Sequence, residues 1–397
     1  MAVGLTVGIG AAGVIIVLGL ITIQVAKRLK ISNVLLLILI GFVLGTPVLN
    51  LFDPLQFQSI VQGLVLFTLI VVLFDSGYDI RIKALLAEIQ HIIKLTFLAL
   101  VPSIIIAALI SMYIFKFSWQ TSLLIGAIVS STDITVIAPL LESLKIKQTL
   151  KDLLSTEAAI NSVISIIVAT IVVTFLIPGG TEGLLLLISR TFMVQILVGI
   201  SLGLLFGYAL IFILKNLRVE QRPEILSIGA ILLIYAIAES VDASGIFAVF
   251  VTAMVLGNAK PSLARILEFE SNVALLLTIF VFVVFGALLN PERMLEASAF
   301  GILLTIGMVV ARLPAVYTHK RAGFDKESRT LLLMGPRGMT GVVLTLLYMN
   351  YFEKPGLALG AIFIVVLATI ALSSFEPYVT KRGRGKKTGR TKKAKSK

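Results

Sequence analysis

Apolar runs of about twenty residues follow one another along almost the whole chain, and no other feature of the sequence restricts its fold so strongly. As a helix, a run of that length crosses the ~30 Å hydrocarbon layer of a bilayer. The chain therefore reads as an all-α polytopic membrane protein. Composition agrees, with 58% hydrophobic and only 14% charged residues over 397 positions, and a mean hydropathy of +1.05. The chain has no cysteine, which excludes disulfides and thiolate metal sites. Its two histidines, His91 and His319, fall in polar connections rather than in a metal cluster. The first run lacks a basic leading segment and exceeds the apolar part of a signal peptide, so it is read as the first spanning helix.

The runs divide into thirteen candidate spans: 3–26, 32–50, 58–77, 93–115, 119–142, 152–177, 184–214, 224–240, 243–258, 272–290, 298–318, 328–350 and 356–377. If the N-terminus lies outside, the inner connections carry clusters such as Lys27, Arg28 and Lys30, or Lys145, Lys147 and Lys151. The outer connections carry only Lys116, Arg190, Arg293 and Lys354, so the count obeys the positive-inside rule throughout. Residues 378–397 then form a basic cytoplasmic tail, expected to be disordered and to lie near anionic lipid of the cell membrane. That tail has no aromatic residue, and no nucleic-acid partner is expected for it. Thirteen spans divide into a first repeat at about 1–177, a linker helix at about 184–214 and a second repeat at about 224–377. Corresponding spans of the two repeats run in opposite directions, the mark of an inverted-topology repeat.

Two corresponding spans carry helix breakers at mid-membrane. In the fifth, GAIVSSTDITVIAPLLE, Ser130, Ser131, Thr132 and Asp133 interrupt an apolar run, and Ser-Ser-Thr-Asp before Ile134 has the form of a helix N-cap. In the twelfth, MGPRGMTGVV, the breakers are Gly335, Pro336 and Gly338, with Arg337 among them. Unwound backbone at that depth is tolerated where it lines a cavity or an ion site. Crossing half-helices bring two N-ends and two C-ends together in a low dielectric, where their partial charges need compensation. Asp133 suits the N-ends and Arg337 the C-ends. Asp133 is equally a candidate to carry an ion itself, and the two roles do not exclude each other.

Other polar groups collect on two further spans. In LLSTEAAINSVIS, Glu157 and Asn161 are four apart, and Ser155 and Ser162 seven apart, so this part of the sixth span presents polar stripes to protein. Glu157 is expected to pair with Arg337 in preference to binding an ion directly. In LIVVLFDSGYDIRIK, Asp75 lies inside the end of the third span, where the alternative role is an interfacial pair with Arg81 or Lys83. Asp79 is expected at the interface.

The ordered strings VLFDSG, GAIVSSTDITVIAPLL, LLSTEAAINSV and GPRGMTGVV resemble the monovalent cation/proton antiporter family, in particular its archaeal and bacterial sodium/proton branch. That family shows an FEGG-like element in the third span, a TDP-containing broken fifth span, a GESLLND-like sixth span and an LRG element in a broken twelfth. The resemblance implies a homodimer, a scaffold domain, a mobile core domain and alternating access. It retains Thr132, Asp133, Glu157, Asn161 and Arg337. It departs at Ser162, where the family has the Asp of an Asn-Asp pair, at Ala158, at Ile134 after Thr-Asp, and at Asp75, where the family has Glu. The remaining ion- and proton-binding candidates are Asp75 and Asp133, with Thr132, Asn161 and Ser162 as neutral oxygen ligands and Glu157 beside them. Sodium is expected to engage Asp133, Thr132 and Asp75.

The expected function is exchange of a monovalent cation, sodium first, for protons, since a desolvated carboxylate holds a proton or a cation but not both. No cofactor is expected and no enzyme activity, as there is no GxxxxGK[ST] loop. Potassium/proton exchange and sodium-coupled symport are the near alternatives. A non-transporting membrane sensor is suggested by Ser162, and an intramembrane aspartyl protease by Asp75 and Asp133, neither of which lies in a GxGD setting.

Overall fold

Among the described residues the apolar runs are helical over most of their length, as backbone satisfaction in lipid requires. The computed structural model describes residues 2–29, 31–46, 48–51, 53–143, 146–176, 184–216, 223–259, 264–319 and 335–393. In chain order the helices begin with α1 (Ala2–Leu29), α2 (Asn33–Leu44), α3 (Gln58–Tyr78), α4 (Ile82–Leu109) and α5 (Trp119–Ser130). They continue with α6 (Ile134–Ser143), α7 (Gln148–Leu176), α8 (Leu184–Asn216), α9 (Pro223–Ser240), α10 (Gly245–Gly257) and α11 (Ala264–Ala287). The last are α12 (Pro291–Glu296), α13 (Ser298–Ala311), α14 (Leu313–His319), α15 (Met339–Tyr348) and α16 (Pro355–Lys393). Among the described residues, 10 segments are long and apolar enough to span a membrane, and Asn33–Leu44, Gly245–Gly257 and Met339–Tyr351 are shorter apolar helices.

Two groups of helices pack against each other. The first contains α1 to α3 and α8 to α11, and the second contains α4 to α7 and α12 to α16. Helix α15 also touches α3 and α11, so it lies on the seam. Lipid gives no hydrophobic drive between helices, so close backbone approach has to supply dispersion instead. Gly199, Gly203 and Gly207 provide it on α8: a Cβ on each would meet Phe247, Val251 or Val255 of α10. Glu353 accepts from the backbone N–H of Ser118 at 3.1 Å, tying the start of α5 to the segment before α16. Hydrogen bonding from Ser118 holds the Glu353 carboxyl below the usual carboxylate range.

One expectation changes here, and others fall outside the described residues. The basic segment that opens the expected tail is helical as far as Lys393, as a continuation of α16. The physical reason is that extending a helix already formed avoids a new nucleation cost, and Lys and Arg are good helix formers. The expected span 328–350 begins outside the described residues, as do 394–397 and the connections carrying Lys145, Arg218, Arg222, Lys260, Lys320, Arg321, Lys326 and Arg329.

Candidate functional site

The two breaks meet. Helix α5 ends at Ser130, residues 131–133 are non-helical, and α6 starts at Ile134. Across from it, 335–338 are non-helical and α15 starts at Met339. The peptide N–H of Asp133 donates to the Pro336 carbonyl at 3.1 Å, which joins the two unwound segments directly.

Asp133 caps two helices at once. Its Oδ1 accepts from the backbone N–H and the hydroxyl of Thr135, each at 2.9 Å, at the start of α6. Its Oδ2 accepts from the backbone N–H of Met339, the first residue of α15. A carboxylate between two helix N-ends meets their unpaired donors and the positive ends of both dipoles. The backbone must come close for this. A Cβ at Gly338 would run into the Asp133 carboxylate and crowd Val136. Gly338→Ala is therefore expected to cost about 1–3 kcal/mol through overpacking, seen as a lower melting temperature of the purified protein. An unchanged melting temperature would show that the approach is not tight.

Arg337 serves the opposite pole. It is buried, its Nη1 donates to the carbonyl of Ser130 at the C-end of α5, and its Nη2 reaches Ser103 Oγ at 3.4 Å and Met308 Sδ at 3.7 Å. Its backbone N–H donates to Thr369 Oγ1 at 3.0 Å. The expected ion pair of Arg337 with Glu157 gives way to another: Arg312 Nη2 donates to Glu157 Oε2 at 3.3 Å. The reason is placement, because the guanidinium of Arg337 is directed at the C-end of α5 while Arg312 projects from the end of α13.

The other oxygen of Glu157 organises the polar stripe of α7. Asn161 Nδ2 donates to Glu157 Oε1 at 3.2 Å, and Asn161 Oδ1 accepts from the Thr132 N–H at 3.1 Å. Thr132 Oγ1 reaches the same Glu157 oxygen at 3.5 Å. Ser162 Oγ donates to the Thr132 carbonyl at 2.6 Å, and Ser130 and Ser165 hydroxyls lie 3.2 Å apart. Thr132, Asp133, Glu157, Asn161, Ser162 and Arg337 are thus brought to one buried crossing.

Among the described residues, none of the hydrogen bonds of this cluster reaches Asp75. It lies one turn from the end of α3 and is half-buried, near the charge of Asp79. Among the described residues, no ion pair joins it to Arg81 or Lys83. Sequence reasoning also passed over Arg312, although an arginine inside an apolar run, GMVVARLPAVY, is itself a signal. Among the described residues no group of three or more His, Cys, Asp or Glu side chains is arranged to hold a metal ion. The side chains at the crossing are carboxylates, hydroxyls, an amide and a guanidinium, and their oxygens are hard donors of the kind that suits alkali cations.

Similarity to known proteins extends over most of the chain. The K(+)/H(+) antiporter NhaP2 of Shewanella sp. (strain ANA-3) is 27% identical over 358 residues, 87% of this chain and 61% of that protein. The chain thus spans about three fifths of the length of such relatives. The Probable Na(+)/H(+) antiporter 2 of Methanocaldococcus jannaschii is 24% identical over 360 residues, 85% of this chain and 84% of that protein. The structure of the sodium proton antiporter MjNhaP1 from M. jannaschii at pH 8 superposes with a TM-score of 0.84 at 20% identity, covering 95% of this chain and 98% of that one, so the fold is shared. The family described as "Sodium/hydrogen exchanger, transmembrane" matches residues 13–381. The chain belongs to the sodium/hydrogen exchanger family, a family of monovalent cation/proton antiporters.

Proposed function

We propose that this chain is a secondary transporter that exchanges a monovalent cation, with sodium as the favoured ion, for protons by alternating access. One observation carries the reading: the non-helical segments 131–133 and 335–338 meet with Asp133 on the N-ends of α6 and α15 and Arg337 on the C-end of α5, in a buried polar cluster. Half-helix ends at the middle of a membrane are where transport folds bind substrate. Asp133, Thr132, Asn161 and Ser162 form the proposed ion site, Glu157 stays beside it held by Arg312, and Arg337 compensates structurally. The group containing α1 to α3 and α8 to α11 is the proposed scaffold, and the other group the moving core. The homodimer, the cell-membrane location, the outside N-terminus and the cytoplasmic tail belong to the same proposal. Potassium/proton exchange is the second reading, favoured because the Shewanella relative carries that name.

Exchange at one carboxylate-bearing site makes cation and proton competitors. The apparent sodium affinity for proton flux in liposomes should therefore weaken as pH falls. A symporter would gain affinity on acidification, and that result would replace exchange with symport. Running sodium, potassium and lithium in turn ranks the ions.

A further inference from the structure

A cavity of about 90 Å³ lies on the seam between the two helix groups. Helices α3, α8, α9 and α10 wall it from one group, and α7 and α15 from the other. Ile166 and Leu344 line its inner part, and Ile166 stands one turn along α7 from Ser162 of the crossing. Thr170 and Tyr348 lie one turn further out on the same two helices, with their hydroxyls 2.9 Å apart. Gln195 of α8 adds a buried Oε1 that has no hydrogen-bond partner. Glu239, in the last turn of α9, is both exposed and part of the lining, which puts it at the mouth.

The space has room for several waters at about 10–15 Å³ each, and water there satisfies Gln195 Oε1. The charge at the mouth is of one sign. The turn from α9 to α10, ESVDAS, carries the acids Glu239 and Asp242 and no base. Glu239 Oε1 accepts from the Gly245 N–H at 2.8 Å, which fixes the carboxylate in place, and among the described residues no ion pair engages it. A fixed negative charge at the mouth of a cleft with low-dielectric walls focuses its field into the cleft and concentrates cations there.

We propose that this cavity is a hydrated antechamber for the cation on its way between the outer face and the crossing, and that Glu239 is the residue that recruits the cation into it. The inference rests on the exchange reading, and on the outside N-terminus, for its place in transport.

The chain has no cysteine, so a single Thr170→Cys reports the cavity alone, with Gln195→Cys as a second reporter. In right-side-out vesicles a membrane-impermeant cationic methanethiosulfonate should modify either thiol faster than an anionic one, by several-fold more than its advantage on a free thiol in solution. Glu239→Gln keeps an acceptor for the Gly245 N–H and should remove that extra advantage. In liposomes Glu239→Gln should raise the half-saturating outer sodium for proton flux several-fold, and change far less the half-saturating sodium on the tail side and the flux at saturation. The inference is overturned if neither thiol is modified, if modification occurs only in inverted vesicles, if Glu239→Gln leaves the cationic advantage unchanged, or if half-saturation rises equally on both faces. The modification rates do not depend on transport. A wild type without flux that keeps a Glu239-dependent advantage defeats exchange and leaves the recruiting cavity standing, whereas normal flux with Glu239-independent modification defeats the cavity's role alone.

Discussion

Arg312→Ala is expected to destabilise the protein by about 3–5 kcal/mol, more than any other single truncation at the crossing, because it strands a buried carboxylate. Glu157 has no accessible surface, and its Oε2 is held by Arg312 at 3.3 Å. The Asn161 and Thr132 donors on Oε1 are neutral and cannot replace a countercharge. If the loss comes from a stranded charge rather than lost packing, the double change Arg312→Ala with Glu157→Gln recovers much of it. Melting temperatures of the two singles and the double decide this. A double variant at or below the Arg312→Ala single would assign the loss to packing alone. Arg337→Ala, which leaves Glu157 paired, is expected to cost less.

Asp133→Asn should lower cation-driven proton flux at least about tenfold, equivalent to about 1.4 kcal/mol or more in the barrier. The amide can still accept from Thr135, but it brings no negative charge to the N-ends of α6 and α15 and cannot exchange a proton for a cation. Ser162→Asp probes the same place from the other side. The Ser162 hydroxyl donates to the Thr132 carbonyl at 2.6 Å, and a carboxylate cannot. Two oxygens would then face each other unless a proton or a cation sits between them. The variant should show tighter apparent sodium affinity or a flux optimum at higher pH. Unaltered flux in Asp133→Asn, together with an unaltered profile in Ser162→Asp, would move the carrier away from the crossing.

Much of this site was legible in the sequence because intramembrane polar residues are rare and costly. Ser130 to Asp133 and Gly335 to Gly338 stand out as breaks in apolar runs, and 131–133 and 335–338 are non-helical in the structure. Glu157 and Asn161 announce a shared face by their spacing, and they hydrogen-bond at 3.2 Å. What stayed hidden depends on which helices are neighbours. Arg312 is an evident charge, but its pairing with Glu157 arises across 155 positions of sequence. Glu270, a buried acid of α11, was lost for a different reason. Hydropathy starts the tenth span at 272, after the charged residues, whereas α11 begins at Ala264 and carries Glu270 into the packed interior. The role of Ser162 likewise depends on backbone: only the unwound Thr132 carbonyl gives its hydroxyl an acceptor outside its own helix.

The most direct test of exchange at the crossing is a pH-gradient measurement in liposomes containing the wild-type chain, with sodium added to the outside at constant ionic strength. The account predicts that sodium dissipates an imposed inside-acid gradient, that choline does not, and that Asp133→Asn liposomes of equal protein content respond at least about tenfold more slowly. A gradient that survives sodium, potassium and lithium alike in the wild type, with the protein folded and inserted, would contradict it.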